Sequence, residues 1–201
     1  MTPTVRIAEA ADLASAARTL KSAFKDYPWT RWVIPEEGYE ERLYDLQRIY
    51  LEHALKHGVV MTTKDFGGAI ALLPADAPAP DQTIMDQIVN LHGDRIDRIS
   101  QSPTNPGTWT LETIGVRADH QGRGHGSALI AHGVREAIAQ GAKAVNLETS
   151  DIRNVRLYER NGFRVTQHTE TIDGPPTWHM EFNIGPAHKA VPPAPTAPNC
   201  R

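Results

Sequence analysis

The chain has 201 residues, 21 Lys and Arg against 24 Asp and Glu, a formal net charge of −3 and 40% hydrophobic residues. That length holds one domain or two small ones, and folding at this size buries about 70% of the unfolded surface, enough for a core without staples. The near balance of charge gives no electrostatic case for nucleic acid or an anionic membrane surface, and a single cysteine, Cys200, excludes a disulfide framework.

Val5-Arg6-Ile7 alternates as a short strand, and Leu13, Ala16, Ala17, Leu20 and Phe24 follow at helical spacing behind Asp12, which is placed to act as N-cap. Tyr27-Pro28-Trp29 reads as a break before a longer helix carrying Tyr39, Leu43, Leu46, Tyr50 and Ala54 and ended by Gly58. Val59–Met61 and Ala69–Leu73 flank Lys64-Asp-Phe-Gly-Gly68 as a hairpin. After a proline-marked loop at 74–80, Ile84, Ile88, Leu91, Ile96 and Ile99 predict a helix broken near Gly93, and a second loop follows at 102–107. Trp109–Val116 is a strand, Gly124–Gln140 a helix closed by Gly141, Ala144–Thr149 a strand, and Asn154–Asn161 a short helix stopped by Gly162. Phe163–Thr171 and Thr177–Asn183 close the order as strands around Asp173-Gly-Pro-Pro176.

The predicted order is β-α-α-β-β-α-β-α-β-α-β-β, an α/β (α+β) fold. Its hairpins are antiparallel, the crossover from Val116 to Val145 can be parallel, and helices cover both faces of a mixed sheet. Five of the 15 prolines lie between Pro186 and Pro198 in a stretch with one Val and no other large apolar residue. Residues 1–184 are therefore expected to form one domain and 185–201 a disordered, proline-rich tail. The longest apolar run, Ala69–Leu73, is far short of a membrane span of about 20 residues. Met1–Arg6 has no apolar core of a secretory signal, so a cytoplasmic location is expected.

The chemistry concentrates in Ile114-Gly-Val116-Arg-Ala-Asp-His-Gln121-Gly122-Arg123-Gly124-His125-Gly126-Ser127. Three glycines at alternate positions stand between a strand and a helix, where unpaired N–H groups and the positive end of the helix dipole hold anions. Arg123 adds a fixed charge beside them, so a phosphate or pyrophosphate site is expected. A Walker A loop is excluded, because no Lys followed by Ser or Thr comes after the glycines. A dinucleotide fingerprint fits poorly: Ser127 stands at its third glycine, and the first glycine trails the strand by six positions.

Val116-x-x-x-x-Gln121-x-x-Gly124-x-Gly126 resembles the Q/R-x-x-G-x-G/A motif of the GNAT superfamily of acyl-CoA N-acyltransferases, and Asn154-x-x-x-Tyr158-Glu-Arg-Asn-Gly162-Phe163 is similar to its second signature. The element order matches from Val5 to Asn183. The resemblance implies a mostly antiparallel sheet whose two central strands splay around the thioester arm of acetyl-CoA. Backbone groups of Ile114 and Val116 would pair with the pantetheine, and Gln121, Gly122, Arg123, Gly124, His125, Gly126 and Ser127 would hold the pyrophosphate, with Asn154 beside the cofactor. Tyr158 is the implied acid for the departing thiolate, since a phenol near pKa 10 and a thiol near 8.5 are close enough to share a proton. Glu148 and Glu112 are the base candidates, Glu148 favoured, with Glu112 alternating with Thr110, Ile114 and Val116 on one strand face.

Tyr27, Trp29 and Trp32 can wall a pocket for a planar or aromatic substrate, and the resemblance implies a small-molecule primary amine as acceptor, an aminoacyl or amino-nucleoside antibiotic foremost. A protein N-terminus, lysine or polyamine, or a non-catalytic acyl-CoA sensor, are the alternatives, and the protein is expected as monomer or homodimer. No metal is implied: His53 and His57 stand i, i+4 without an apparent third ligand. Cys200 lies too far along the tail for an acetyl-cysteine intermediate.

Overall fold

The computed structural model describes residues 3–99 and 105–185. The tail expectation therefore falls, Gly185 apart, outside the described residues. The elements run β1 (Val5–Ile7), α1 (Leu13–Phe24), α2 (Pro28–Val33), α3 (Tyr39–His57), β2 (Val59–Thr63), β3 (Gly68–Pro74), α4 (Gln82–His92), β4 (Thr108–Val116), α5 (His125–Ala139), β5 (Ala144–Thr149), α6 (Ile152–Arg160), β6 (Arg164–Thr169) and β7 (Thr177–Asn183). Seven strands form one sheet in the order β1-β2-β3-β4-β5-β7-β6. Only β4 and β5 pair in parallel; every other neighbouring pair is antiparallel.

Period-two alternation divides the core between the two faces of the sheet. Val60, Ala69 and Ala71 pack under Ala16, Ala17 and Leu20 of α1 and Leu51 and Ala54 of α3. Val59, Met61, Ile70 and Leu72 point the other way, onto Leu129, Ile130 and Val134 of α5. The alanines of the first layer let the two helices lie close to the sheet.

Two sequence expectations need correction. The break at Tyr27-Pro28-Trp29 is the start of a helix: Pro28 occupies the first turn of α2, where its missing N–H costs nothing. The hydroxyl of Thr30 donates back to the carbonyls of Phe24 and Tyr27, tying α2 to the end of α1. Asp12 precedes α1, yet its side chain makes no cap bond to that helix. It accepts instead from the backbone N–H of Glu9 at 2.8 Å and pairs with Arg6 at 2.6 Å, closing the 3-10 turn Ala10–Asp12. The Arg6 hydrogen bond, helped by that of Glu9, brings its carboxyl down to about 2.

The sheet is interrupted at its centre. β4 and β5 pair only through Thr108, Trp109 and Thr110 with Ala144, Val145 and Asn146, and then part. Along its other edge β4 stays bound to β3, with Leu72 opposite Leu111 and Ala71 opposite Thr113, so Glu112 is the extra residue of a β-bulge. α1 lies hard against β4 at Gly115, where a Cβ would come 2.7 Å from the Cβ of Ala23 and 3.0 Å from Leu20 Cδ2. Gly115→Ala is therefore expected to cost about 1–3 kcal/mol through overpacking. In a thermal melt that lowers Tm by roughly 3–10 °C; an unchanged melt would mean α1 is not held there.

Candidate functional site

The gap between β4 and β5 has two backbone edges, and the one on β4 can be followed group by group. The N–H of Arg117 donates to the carbonyl of Gly67 at the β3 side. Successive residues of an antiparallel strand point their backbone groups to opposite edges, so Gly115 and Thr113 also face β3, while Ile114 and Val116 face the gap. Their side chains pack on the α5 layer. The side-chain amide of Gln121 donates to the carbonyl of Val116 at 3.2 Å, bracing the end of the strand.

Beyond that end, Gly122 and Gly124 adopt φ of +72° and +83°, a left-handed backbone that glycine alone takes freely. A Cβ at either would meet no protein atom within 4 Å, so the space over the loop is open. Gly124 is the N-cap of the 15-residue α5, whose first N–H groups and dipole face that space. Arg123 is exposed and has no acidic partner among the described residues. An open depression of about 610 Å³ lies alongside, lined by Arg123, Gly124, Ser127, Ala128 and Asn161. The side-chain amide of Asn161 reaches Ser127 Oγ at 3.2 Å and joins α6 to α5. Gly126 lies against Leu157 of α6. The ring of His125 is buried, edge-on to His120 at 5.2 Å, with Nδ1 lacking a partner among the described residues, while its backbone N–H belongs to the first turn of α5.

At the far end of the gap Tyr158 projects from α6 into the core beside Val145, Leu147 and Phe163. Burial, with a smaller push from Tyr27, holds its phenol well above the usual range. Asn154, one turn earlier, donates to Thr149 Oγ1 at 3.3 Å. Tyr27 meets the same strand end: its hydroxyl lies 3.0 Å from Thr149 Oγ1 and accepts the backbone N–H of Ser150 at 2.6 Å. Tyr27 thus braces the C-terminal end of β5. Trp29 and Trp32 pack together at 5.2 Å, and the ring of Trp32 lies against Gly174 of the β6–β7 turn with the Arg98 guanidinium 5.5 Å above it. Three chain segments far apart in sequence meet at that aromatic pair.

The carboxylates occupy the opposite face of the gap from α5. On β5, Val145 and Leu147 turn to the α5 layer, so Asn146 and Glu148 turn away from it. Glu148 Oε2 stands 3.2 Å from Nε2 of His179 on β7, in register across the pair. Burial raises the Glu148 carboxyl, and the charge of His179 acts against that rise. Glu112 is not on the face of Ile114 and Val116, because the bulge reverses the alternation at that point. It influences Tyr50 of α3, whose phenol is pushed up to about 12 by burial first and by Glu112 second. Its neighbour Thr113 donates to Gln47 Oε1, also on α3. The Glu112 side chain is open to solvent, yet burial raises its carboxyl, as in a concave site with protein on most sides.

Tyr50 and Gln47 were not reached from the sequence, nor was the pairing of His179 with Glu148. The neighbourhood of His179 to Glu148 depends on β7 lying between β5 and β6, which no local pattern carries. The rings of His53 and His57 are 4.8 Å apart, and among the described residues no group of three His, Cys, Asp or Glu could hold a metal ion. Among the same residues no helix is long and apolar enough to cross a membrane.

Residues 24–163 match the model of the Acetyltransferase (GNAT) family. A Corynebacterium glutamicum structure described as histone acetyltransferase HPA2 and related acetyltransferase is similar at TM-score 0.71 and 26% identity, covering 93% of this chain and 99% of that one. The ribosomal-protein-S18-alanine N-acetyltransferase of Escherichia coli is similar at 0.59 and 18%, covering 94% and 99%. PaiA N-acetyltransferase of Thermoplasma acidophilum, in complex with coenzyme A, is similar at 0.60 and 14%, covering 91% and 99%.

Proposed function

The chain belongs to the Acetyltransferase (GNAT) family, and from that premise we propose that it transfers an acetyl group from acetyl-CoA to the primary amine of a small molecule. The observation that carries the reading is the parted β4–β5 pair, with an anion-ready helix start at one mouth and a buried phenol and two carboxylates at the other. The residues fit the donor. Outward backbone groups of Ile114 and Val116 can pair with a pantetheine as an added strand would. Gly122 and Gly124 leave room above the α5 N-terminus for a pyrophosphate, with Arg123, Gln121, Gly126 and Ser127 around it.

Acetyl-CoA, when bound, supplies an activated acetyl thioester and a thiol leaving group. Glu148 takes the proton from the acceptor amine as nitrogen bonds to the acetyl carbon, and Tyr158 donates its O–H to the sulfur as the carbon–sulfur bond breaks. Burial raises the phenol, but a thiolate departing into the same dry surroundings gains basicity for the same reason, so the two stay matched. Glu112, on the opposite strand across the gap, is the second carboxylate available to hold the incoming ammonium.

The proposed acceptor is puromycin or a related aminoacyl or amino-nucleoside antibiotic. Ala23-Phe24-x-Asp26-Tyr27-Pro28-x-Thr30-Arg31, Asp119-His-Gln121-Gly122-x-Gly124-x-Gly126-Ser127, Leu147-Glu148-Thr149-Ser150-x-x-Arg153-Asn154 and Thr177-Trp178 resemble puromycin N-acetyltransferase. The stretch from Pro78 to Arg98, with Trp29, Trp32 and His179, departs from it. An α-amine of pKa about 7.7–8.0 is partly neutral at pH 7 and needs only modest help from a base, unlike a lysine amine at about 10.4. The aromatic pair Trp29–Trp32 offers stacking surface to a planar group on such an acceptor.

The test is thiol release from acetyl-CoA with puromycin, other aminoacyl nucleosides, N-terminal and lysine peptides, and polyamines. Turnover with the aminoacyl compounds over the peptides and polyamines is expected. Preference for a peptide or polyamine would reassign the acceptor, and release with none would remove the enzyme reading.

A further inference from the structure

We propose that His179 is the positioning residue of the acetyl-transfer base: it holds one carboxylate oxygen of Glu148, Oε2, and leaves Oε1 free to meet the acceptor amine in the gap. The proposal rests on the reading of Glu148 as that base. Its ground is the topology. Because β7 lies between β5 and β6, His179 is the direct cross-strand partner of Glu148, with Nε2 of the imidazole 3.2 Å from Oε2. Directly opposed side chains stand on one face of a sheet, and here that face is the one turned away from α5.

The imidazole is also the basic group in contact with the Glu148 carboxylate. Asn146 and Glu148 share the face through alternation on β5, and Glu181 shares it through alternation on β7, opposite Asn146. Gln167 of β6 opposes His179 on its other side. β4 contributes Glu112, and the phenols nearby are Tyr50 of α3, Tyr27 before α2 and Tyr158 of α6. Arg164 of β6 opposes Glu181 on this face, one position further from Glu148. The imidazole is the basic group at Glu148 itself, and when it carries a proton it favours an ionised Glu148 against the desolvation that disfavours it. Asn146 Oδ1, buried without a partner among the described residues, lies on the same face and supplies a further acceptor beside the carboxylate. A base that is held on one oxygen and kept ionised loses less geometry when the amine arrives. No redox step or further reactant is involved: the amine N–H bond breaks, an O–H bond forms at Oε1, and the electron pair stays on nitrogen.

The experiment compares wild type with His179→Gln, which keeps a hydrogen-bonding side chain without a charge, and His179→Ala, which keeps neither. Rates of thiol release with the best amine of the panel are measured from about pH 5.5 to about pH 9, across the range where a catalytic base titrates. In parallel, the Glu148 carboxyl is titrated by carbon-detected NMR with coenzyme A bound. Both variants are expected to move the acid limb of kcat/KM, and the NMR titration of Glu148, to higher pH by about half a unit or more. At the alkaline plateau His179→Ala is expected to lose about tenfold in kcat and His179→Gln distinctly less, with KM for acetyl-CoA unchanged.

A merely structural role would lower rates at every pH without moving the limb, and that result overturns the proposal. So does an unmoved Glu148 titration in either variant. Wild type inactive on every amine would instead remove the acetyl-transfer reading. The NMR comparison would then still report whether His179 governs the Glu148 charge, so the two failures stay distinct.

Discussion

Tyr158→Phe is expected to lower kcat for acetyl transfer by about 10²- to 10³-fold, the contribution of one well-placed proton donor, and to leave KM for acetyl-CoA within about twofold. The expectation comes from a single oxygen. The ring is buried among Val145, Leu147, Val155 and Phe163, and phenylalanine fills that space with the same atoms less the hydroxyl. Among the described residues the hydroxyl makes no hydrogen bond that its removal would orphan, unlike that of Tyr27 with Thr149 and Ser150. Packing is therefore kept, and the variant should melt within about 1 °C or above wild type, because no buried polar group is left without a partner. Steady-state kinetics with thiol detection and a thermal melt decide the matter together. Full activity in Tyr158→Phe would remove the donor role, and an unfolded variant would show that the hydroxyl has a structural partner.

Glu148→Gln is expected to lower kcat by about 10²-fold and to remove the acid limb of the kcat/KM profile. Burial raises the Glu148 carboxyl in the folded protein, with His179 opposing the rise. A base with a raised pKa begins to be protonated at a higher pH than an ordinary carboxylate, so wild-type activity should fall as pH drops through that raised value. The sign for stability runs the other way. A carboxyl whose folded pKa exceeds its unfolded one favours the folded state when neutral, and that advantage is lost as pH rises from the unfolded to the folded value. Glutamine stays neutral throughout, so Glu148→Gln should be slightly more stable than wild type at pH 7 and equal to it well below pH 4. Gain of stability with loss of activity is the signature of a charge kept for chemistry. Unchanged kinetics would shift the base to Glu112, tested in the same way with Glu112→Gln.

The parts of this molecule that announce themselves in sequence are those whose cause is local. β2 and β3 follow from short apolar runs on either side of a glycine turn, β5 and β7 from apolar alternation, and α5 from its glycine start and the stop at Gly141. The two corrected elements were local as well, but their signals have double meanings. Pro28 ends a helix or begins one, and Asp12 three residues after Glu9 serves the turn before α1 as readily as α1 itself. The site is different. Tyr158 and the glycine loop were legible because short motifs carry them. Glu112 was visible as a charge in a strand, but the bulge that turns it toward α3 depends on how β3 and β4 register. His179 stood out only as a departure from the closer resemblance, and its pairing with Glu148 had no sequence signal, since that lies in the placement of β7 next to β5. Positions set by strand order become readable only once the sheet is assembled.

The outward backbone groups of Ile114 and Val116 have a thermodynamic consequence. A sheet that parts at its centre has an edge within the fold, and a ligand that lies along that edge completes the hydrogen-bonding the chain leaves open. Such a ligand binds the native state and not the unfolded chain, so it draws the folding equilibrium with it, by about 2.7 kcal/mol at a concentration a hundred times its Kd. Coenzyme A and its acetyl ester should therefore both raise the melting temperature, and in a cell the resistance of this enzyme to unfolding and proteolysis would rise and fall with the supply of its own donor.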